Sequence, residues 1–251
     1  MTNYIFNERE YVESLIKNRT YAGQKFDSIC RVAKYYHNEG YRRDDIARKL
    51  EAYMLRCEPD VNLVMWQDNI DRIIKNSGKR KLIDIPYITV TQSELDTINS
   101  IKSIMLRKLL FTMLCLAKYG NAINENNNNW VNTPDKEIFS MANIKVSTKR
   151  QSLLINDLWQ MGYVGYSKVV DNINLNIKII DDNSPEVLYI TDFRCLGYQY
   201  MVSQGNDNYM VCTNCGLAMK RESNAQKYCE ECGEEINRSR AQERYRSVLP
   251  S

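Results

Sequence analysis

The chain has 251 residues, of which 43% are hydrophobic and 26% are charged. A chain of this size can bury one large core, or two modest cores with a small appendage, which favours two or three domains. The formal net charge of +3 excludes a histone-like basic protein. Any affinity for nucleic acid must therefore come from local basic patches.

The sequence lacks the features of an exported or membrane-spanning chain. It contains no run of about 18 apolar residues, the length that crosses a bilayer. Its first residues lead into the charged sequence NERE at positions 7–10 instead of an apolar signal core. We therefore expect a cytoplasmic protein with no membrane partner.

The first third of the chain is predicted to be helical, because its apolar residues recur at three- and four-residue spacing. The predicted helices cover residues 7–18, 24–38, 43–57 and 63–77. Glycines and a proline separate them at Gly23, Gly40 and Pro59. Each helix has an apolar stripe, so we expect a helical domain over residues 1–90 that packs against itself.

A short extended segment at residues 85–90 contains a proline, which predicts an edge strand or a linker. Thr91 then precedes Glu94 at the spacing of a capping box. This pair predicts a helical region over residues 92–119 with a break near Asn99. The later part of that region is apolar on nearly every face, so we expect it at the centre of a core.

The middle third continues with a brief extended segment at residues 130–132. Pro134 suits the first turn of a helix over residues 135–142. After a turn, Ser147 can cap a longer helix that ends before Gly162. Two strands are then predicted at residues 163–170 and 173–180, joined by a turn at Asp171-Asn172. The second strand alternates apolar and polar residues, which predicts a hairpin with one buried face.

A long helix, a short strand, two further helices and a hairpin therefore follow one another. On this order, and on the sequence IFSMANIKVSTKRQSLLINDLWQMGYV, residues 101–180 resemble the winged helix-turn-helix superfamily. The resemblance implies a DNA-binding domain, which we place at residues 91–200. In this superfamily the third helix enters the major groove of double-stranded DNA.

The resemblance also implies where DNA contacts lie, because residues near the start of the third helix reach bases or phosphates. Those positions in this chain are Ser147, Thr148, Lys149, Arg150 and Gln151. Arg150 suits a paired contact with guanine and Gln151 one with adenine, whereas the other three suit phosphate oxygens. Lys168, near the predicted hairpin tip, is expected to contact the adjacent DNA backbone. Winged helices also serve as protein-interaction modules, so that alternative stays open.

The eight cysteines form two groups. Four of them lie singly in apolar surroundings and are predicted core residues: Cys30, Cys57, Cys115 and Cys195. The other four form two Cys-x-x-Cys-Gly pairs, Cys212 with Cys215 and Cys229 with Cys232, and 13 residues separate the inner cysteines. This spacing predicts a structural Zn²⁺ site with four thiolate ligands. A redox pair is the competing interpretation, whereas a catalytic zinc is disfavoured because all four positions are filled.

The segment that carries these pairs resembles a zinc ribbon, which we place at residues 201–251. It is too small to bury its own core, so metal binding is expected to supply most of its folding free energy, on the order of 10 kcal/mol or more. Lys220 and Arg221 flank the first pair as candidate nucleic-acid contacts, and several arginines follow the second pair. Those arginines indicate either a second nucleic-acid contact or a solvated helix.

Nothing in the sequence marks an enzyme. His37 is the only histidine, and its neighbours indicate a surface residue near a helix C-terminus. We find no glycine-rich phosphate loop and no acidic cluster spaced for two metal ions. The overall prediction is a mainly α protein with small β content, comprising a helical domain, a winged helix-turn-helix and a zinc ribbon.

As a whole the chain resembles uncharacterised proteins of phages and mobile elements of low-GC Gram-positive bacteria. The resemblance rests on LLFTMLCLAKYGN, WVNTPDKEIFSMANI and ITDFRCLGYQY. It implies a DNA-binding regulatory or replication-associated role in such an element. The alternative is a protein-interaction adaptor that binds a host complex, such as RNA polymerase or a defence nuclease.

Overall fold

The computed structural model describes residues 4–167 and 174–248. The chain divides into two compact units, Met1–Tyr87 and Ile88–Ser251. It is mainly helical with small antiparallel sheets. Within the described ranges, none of the helices combines the length and the apolar character that a membrane crossing requires.

The first unit is built from four helices that match the predicted ones to within one residue at each end. They are α1 (Glu8–Asn18), α2 (Lys25–Asn38), α3 (Arg43–Cys57) and α4 (Leu63–Ser77). Their apolar stripes meet in one core, in which Ile29, Leu50 and Ile70 are fully buried. The Asn7 side chain caps α1 by accepting a hydrogen bond of 3.0 Å from the backbone N–H of Glu10. Local sequence therefore accounts for these helices.

Glu8 is a buried carboxylate that ties the end of the first unit back to α1. It is 1% exposed, and it accepts hydrogen bonds from Arg31 (3.1 Å) and Lys34 of α2. Its Oε2 atom also accepts one of 2.9 Å from the backbone N–H of Ile83. A buried carboxylate requires such partners, because desolvating an unpaired charge is costly.

The second unit opens with a two-stranded sheet and two helices. Strand β1 (Ile88–Thr91) pairs antiparallel with β5 (Glu186–Ile190), with Ile88 opposite Ile190. Helix α5 (Gln92–Ser100) follows directly, and the predicted capping box between Thr91 and Glu94 is present. The predicted break separates α5 from α6 (Ile104–Ile123).

Helix α6 is the central element of the second unit, as predicted. From Leu106 to Tyr119 every residue except Arg107 is buried. The helix packs against β1, α5, α7 and α8, and against α9 (Leu196–Ser203), which the sequence did not predict.

The elements between α6 and β5 follow in the predicted order. They are β2 (Trp130–Val131), α7 (Asp135–Met141), α8 (Thr148–Gln160), β3 (Val164–Tyr166) and β4 (Leu175–Ile177). The three strands form one antiparallel sheet in the order β2-β4-β3. Within it, Val164 lies opposite Ile177 and Val131 opposite Leu175. The predicted turn at Asp171-Asn172 lies outside the described residues.

Strand β4 differs from the prediction of a hairpin with one buried and one exposed face. Asn176 was expected on an exposed polar face, but it is only 9% exposed. The reason is that this side chain lies against the segment just before β2, at Asn128, instead of facing solvent. The buried amide is satisfied, because its Nδ2 atom donates a hydrogen bond of 2.8 Å to the Asn128 carbonyl.

Gly197 at the start of α9 lies where the backbone meets the turn before α8. A Cβ atom at this position would lie 1.9 Å from the carbonyl oxygen of Ala142 and 2.6 Å from Cε of Lys108. We therefore expect Gly197→Ala to lower the free energy of unfolding by about 1–3 kcal/mol, as overpacking does. Urea unfolding of the purified protein measures this. Gly233→Ala is the control, because its Cβ meets nothing within 4 Å, and an equal loss in both variants would contradict the packing explanation.

Candidate metal centre and nucleic-acid surface

The first cysteine pair lies on a β-hairpin formed by β6 (Tyr209–Val211) and β7 (Ala218–Lys220). The N–H of Cys212 donates to the Leu217 carbonyl (2.8 Å), and the N–H of Gly216 donates to the Cys212 carbonyl (3.0 Å). Gly216 has φ +73°, a left-handed conformation that glycine adopts at little cost. The turn thereby brings Cys212 and Cys215 to one side of the hairpin tip.

For the segment between the two cysteine pairs, the sequence predicts short strands at residues 217–219 and 227–228. The first is close to β7, but residues 227 and 228 form no strand, and helix α10 (Glu230–Val248) begins just after Cys229. Gly233 is helical, and its N–H donates to the Cys229 carbonyl (2.8 Å). The acidic first turn explains the difference, since Glu230 and Glu231 are favoured at a helix N-terminus. Cys229 and Cys232 therefore flank the first turn of α10.

The four cysteines come together as predicted. Their Sγ atoms all lie within 4.8 Å of one another, and those of Cys215 and Cys229 are 3.7 Å apart. All four are free thiols. A tetrahedral zinc with Zn–S distances of about 2.3 Å separates its sulfurs by about 3.8 Å, whereas a disulfide needs about 2.0 Å. The geometry is therefore that of a four-thiolate metal site.

Hydrogen bonds to two of the sulfur atoms favour the thiolate form, which is the form that binds a metal cation. The N–H of Cys229 donates to Sγ of Cys212 (3.3 Å), and the Asn214 side chain donates to Sγ of Cys232 (3.3 Å). Burial raises the pKa of the Cys212 thiol, but backbone hydrogen bonds from Cys215, Cys229 and Asn214 outweigh it and bring that pKa to about 6. Asn214 lowers the pKa of Cys232, but the neighbouring thiols outweigh it and raise that pKa to about 12. A divalent cation would relieve this mutual repulsion among thiolates.

The part that carries the cluster, residues 209–248, is called the cysteine module below. Its buried core cluster consists of Met219 and three of the four cysteines, with partly buried apolar side chains packed against them, and the neighbouring Ala218 is buried as well. It is attached to the rest of the second unit through α9, which packs on β6 and β7. Arg194 adds a link, because its guanidinium donates to the Cys215 carbonyl (3.0 Å) while it pairs with Asp192 (2.9 Å).

The predicted DNA-contact residues lie together at the start of α8. The Ser147 side chain caps the helix by accepting a hydrogen bond of 3.4 Å from the N–H of Arg150. Ser147, Thr148, Lys149 and Arg150 are exposed. Within the described part of the chain, neither Lys149 nor Arg150 forms an ion pair. This turn of α8 is therefore a cationic surface.

Gln151 differs from the other four, because the helix turns it towards the core side. It is only partly exposed and lies on the same face as the buried residues Leu154 and Leu158. The exposed residues Lys149, Leu153 and Gln160 lie on the opposite face of α8, together with Asn156, which is only partly exposed, like Gln151.

The remaining predicted contacts are distributed differently. Lys168 lies outside the described residues. Lys220 and Arg221 are exposed at the end of β7. Strand β7 packs on α9, α9 packs on α6, and α6 packs on α8. The arginines after the second cysteine pair lie on α10, whose residues 237–245 are exposed. A second nucleic-acid contact and a solvated helix both require this exposure, so both interpretations stay predictions.

Comparisons of the chain with protein-family models, with curated proteins and with solved structures found no match. Similarity to a known protein therefore assigns no family and no activity. The function has to be inferred from the site itself, that is, from the cationic start of α8, the sheet beside it and the four-thiol cluster.

Proposed function

We propose that the chain is a DNA-binding regulatory or replication-associated protein of a phage or mobile element. In this proposal residues 101–180 form a winged helix-turn-helix that places α8 in the major groove of double-stranded DNA. The four cysteines hold a structural zinc ion. The observation that carries the proposal is the exposed, unpaired cationic turn at the start of α8.

The arrangement of helices and strands supports the winged-helix assignment. Helices α7 and α8 pack on each other and on α6. Strand β2, which follows α6 in the chain, pairs with β4, which comes last in the chain but lies at the centre of the sheet. This order of three helices and a small antiparallel sheet is typical of winged helices. In that arrangement α8 corresponds to the helix that contacts DNA, and β3 and β4 correspond to the two strands of the hairpin that follows it.

The chemistry of the α8 surface supports an anionic partner. Lys149 and Arg150 supply positive charge that no ion pair among the described residues neutralises, and the hydroxyls of Ser147 and Thr148 can donate to phosphate oxygens. The helix N-terminus adds its own partial positive charge and free N–H groups. Duplex DNA meets these requirements, because its phosphates lie beside base edges that Arg150 can contact as a pair of hydrogen bonds.

Zinc is the metal that best fits the cysteine module. Four thiolates in a closed tetrahedral arrangement are typical of structural zinc, which needs no open coordination position. In this role the metal would hold β7 in place, and with it Lys220 and Arg221. These two exposed cations would extend the DNA footprint beyond the winged helix.

Replacing both Lys149 and Arg150 with alanine tests the proposed interface. We expect duplex affinity to fall by about 30-fold or more, because each of the two charged contacts to a base or phosphate contributes about 1 kcal/mol or more. Fluorescence anisotropy with a labelled duplex measures the change. Lys17→Ala/Lys75→Ala is the matched control, since it removes two exposed lysines of the first unit and should leave affinity unchanged. Unchanged affinity in the Lys149→Ala/Arg150→Ala variant would remove α8 from this role.

A protein-interaction adaptor is the second candidate, and an apolar surface beyond the DNA-facing turn favours it. Trp159, Met161 and Tyr166 are each between 44% and 51% exposed, and the rings of Trp159 and Tyr166 contact each other at a tilt of 55° with centroids 5.9 Å apart. Exposed aromatic side chains are enriched at protein interfaces. Such an adaptor would bind a host complex, such as RNA polymerase or a defence nuclease, and its affinity would depend much less on salt than DNA binding does.

A further inference from the structure

The first unit contains a cleft that the proposed DNA contacts do not use. It lies between α2 and α4 and has a volume of about 330 Å³. Phe26 and Cys30 line it from α2, Arg72 and Ile73 line it from α4, and Lys79 lies just after α4. Small-molecule sites have volumes of roughly 300–1,000 Å³ and are mostly apolar with a few polar groups, so the cleft has room for one small ligand.

All the charged side chains that line the cleft are positive. Lys34, Arg72, Lys79 and Arg80 line it, and no acidic residue is among its lining residues. Lys34 is already paired with the buried Glu8. The other three form no ion pair with any residue in the described ranges. They are exposed and available to an anion.

An apolar wall accompanies these cations. The Phe26 side chain is 40% exposed at the cleft, although a phenylalanine on a helix of this bundle would be expected in the core. Ile73 is 3% exposed and provides part of the buried floor. An exposed aromatic ring beside three free cations offers a stacking surface and a phosphate site at the same place.

We propose that this cleft binds a nucleotide unit. The base lies against Phe26 and the apolar floor, and the phosphate contacts Arg72, Lys79 and Arg80. A free nucleotide and a single-stranded nucleic acid share this chemistry, because every base has a flat apolar face and every unit carries a phosphate. The cleft lies in a different unit from α8, so the proposal does not depend on duplex binding.

A purely structural role for the cations makes a different prediction. Lys79 and Arg80 follow the last turn of α4, where a positive charge stabilises the helix dipole. In that case their replacement would change thermal stability without changing ligand binding. The two roles are therefore separated by measuring both quantities in the same variants.

The test uses the full chain carrying Lys149→Ala and Arg150→Ala, so that the start of α8 does not contribute. The probes are a fluorescently labelled twelve-residue oligothymidylate and a labelled adenine mononucleotide. Adding Arg72→Glu/Arg80→Glu should weaken binding of at least one probe by about 10-fold or more, because two phosphate contacts become repulsive. Lys17→Glu/Lys75→Glu makes the same charge change outside the cleft and should alter binding by less than about two-fold.

Variants of Phe26 distinguish a site at which a base stacks on the ring from nonspecific attraction between charges. Phe26→Ala should weaken binding by several-fold, whereas Phe26→Tyr retains the ring and should preserve it. Binding of the oligonucleotide alone would identify a single strand as the ligand, and equal binding of the mononucleotide would identify a free nucleotide. The proposal is overturned if neither probe binds, or if the Lys17→Glu/Lys75→Glu control loses as much affinity as Arg72→Glu/Arg80→Glu. It is also overturned if the cleft variants lower only the melting temperature.

Discussion

Replacing Cys229 with serine is expected to release the metal and unfold the cysteine module. Besides its cysteines, the described part of the module buries only two apolar side chains, Ala218 and Met219, so little else holds β6, β7 and the start of α10 together. A four-thiolate zinc contributes roughly 10–16 kcal/mol to the folding of small modules. Its loss should expose residues 209–248 to proteolysis while α6 and the sheet beside it stay folded.

Two measurements check this outcome. Elemental analysis of the wild-type protein should find about one zinc ion per chain, because four ligands complete one tetrahedral site. The Cys229→Ser variant should contain much less zinc and be cleaved rapidly within the module. Cys30→Ser is the matched control, since Cys30 is a half-buried thiol far from the cluster in sequence, and its zinc content should not change. A module that stays protease-resistant after complete chelation would contradict the structural role of the metal.

Replacing Lys118 with methionine is expected to destabilise the second unit by about 3–5 kcal/mol, the cost of breaking a buried ion pair from one side. Lys118 is 7% exposed, and its ammonium lies 2.8 Å from the carboxylate of the fully buried Glu94. It also lies 3.0 Å from Asp182, which is itself largely exposed. Without Lys118, the charge of Glu94 would remain buried without its cation.

Glu94 makes this effect large because it connects three parts of the unit. Its Oε2 atom accepts a hydrogen bond of 2.8 Å from the N–H of Thr91, which closes the capping box of α5. Its Oε1 atom accepts one of 3.0 Å from the N–H of Asp181, just before β5. Losing Lys118 would therefore strain the contacts that join α5, α6 and the chain before β5.

Urea unfolding of Lys118→Met measures the loss, and Lys102→Met is the control because Lys102 is an exposed lysine of the same unit. The double variant Glu94→Gln/Lys118→Met should lose less than the sum of the two single variants, since it leaves no buried charge. Additive losses would contradict the ion-pair explanation.

The pH dependence of this contribution has a definite sign. Burial lowers the pKa of Lys118, but hydrogen bonds and charge interactions with Glu94 and Asp182 outweigh burial and raise the pKa above its usual value of 10.5. A raised folded-state pKa means that the pair stabilises the protein fully at neutral pH. The stabilisation is lost only as pH rises through the raised pKa of folded Lys118. The difference in unfolding free energy between wild type and Lys118→Met should therefore be the same at pH 7 and pH 8.

Local sequence was sufficient wherever neighbouring residues determine the structure. The four helices of the first unit follow from apolar spacing and from caps such as Asn7. The Thr91-Glu94 capping box, the Ser147 cap and the end of α8 before Gly162 were also predicted correctly. In each case the interacting atoms are at most a few residues apart, so the pattern is visible in a short window.

Long-range contacts were not predictable in this way. The side-chain hydroxyl of Thr91 donates to the carbonyl of Asp181, 90 residues away, and the pairing of β1 with β5 depends on the same approach of distant segments. Nothing in either segment identifies the other. The position of α9 against α6 depends on the close approach at Gly197, which only the folded chain reveals.

The candidate site was predicted in its residues but not fully in its geometry. Spacing identified the four cysteines, because thiol pairs two residues apart suit one metal ion. It did not show that the second pair lies on a helix, since Cys-x-x-Cys fits either a hairpin turn or a first helical turn. On α8, the position near the helix start predicts Gln151 as a contact, whereas the helix period places it on the same face as the buried residues Leu154 and Leu158.

The salt dependence of duplex binding tests the central claim most directly, namely that the cationic start of α8 and the cations near it bind DNA phosphates. Affinity for a labelled duplex is measured between about 50 and 200 mM salt. Five or six phosphate contacts predict a slope of about −5 in a plot of log affinity against log salt, and Lys149→Ala/Arg150→Ala should reduce its magnitude by about two. Absence of duplex binding at 50 mM salt, or an affinity that does not change over this range, would contradict the claim.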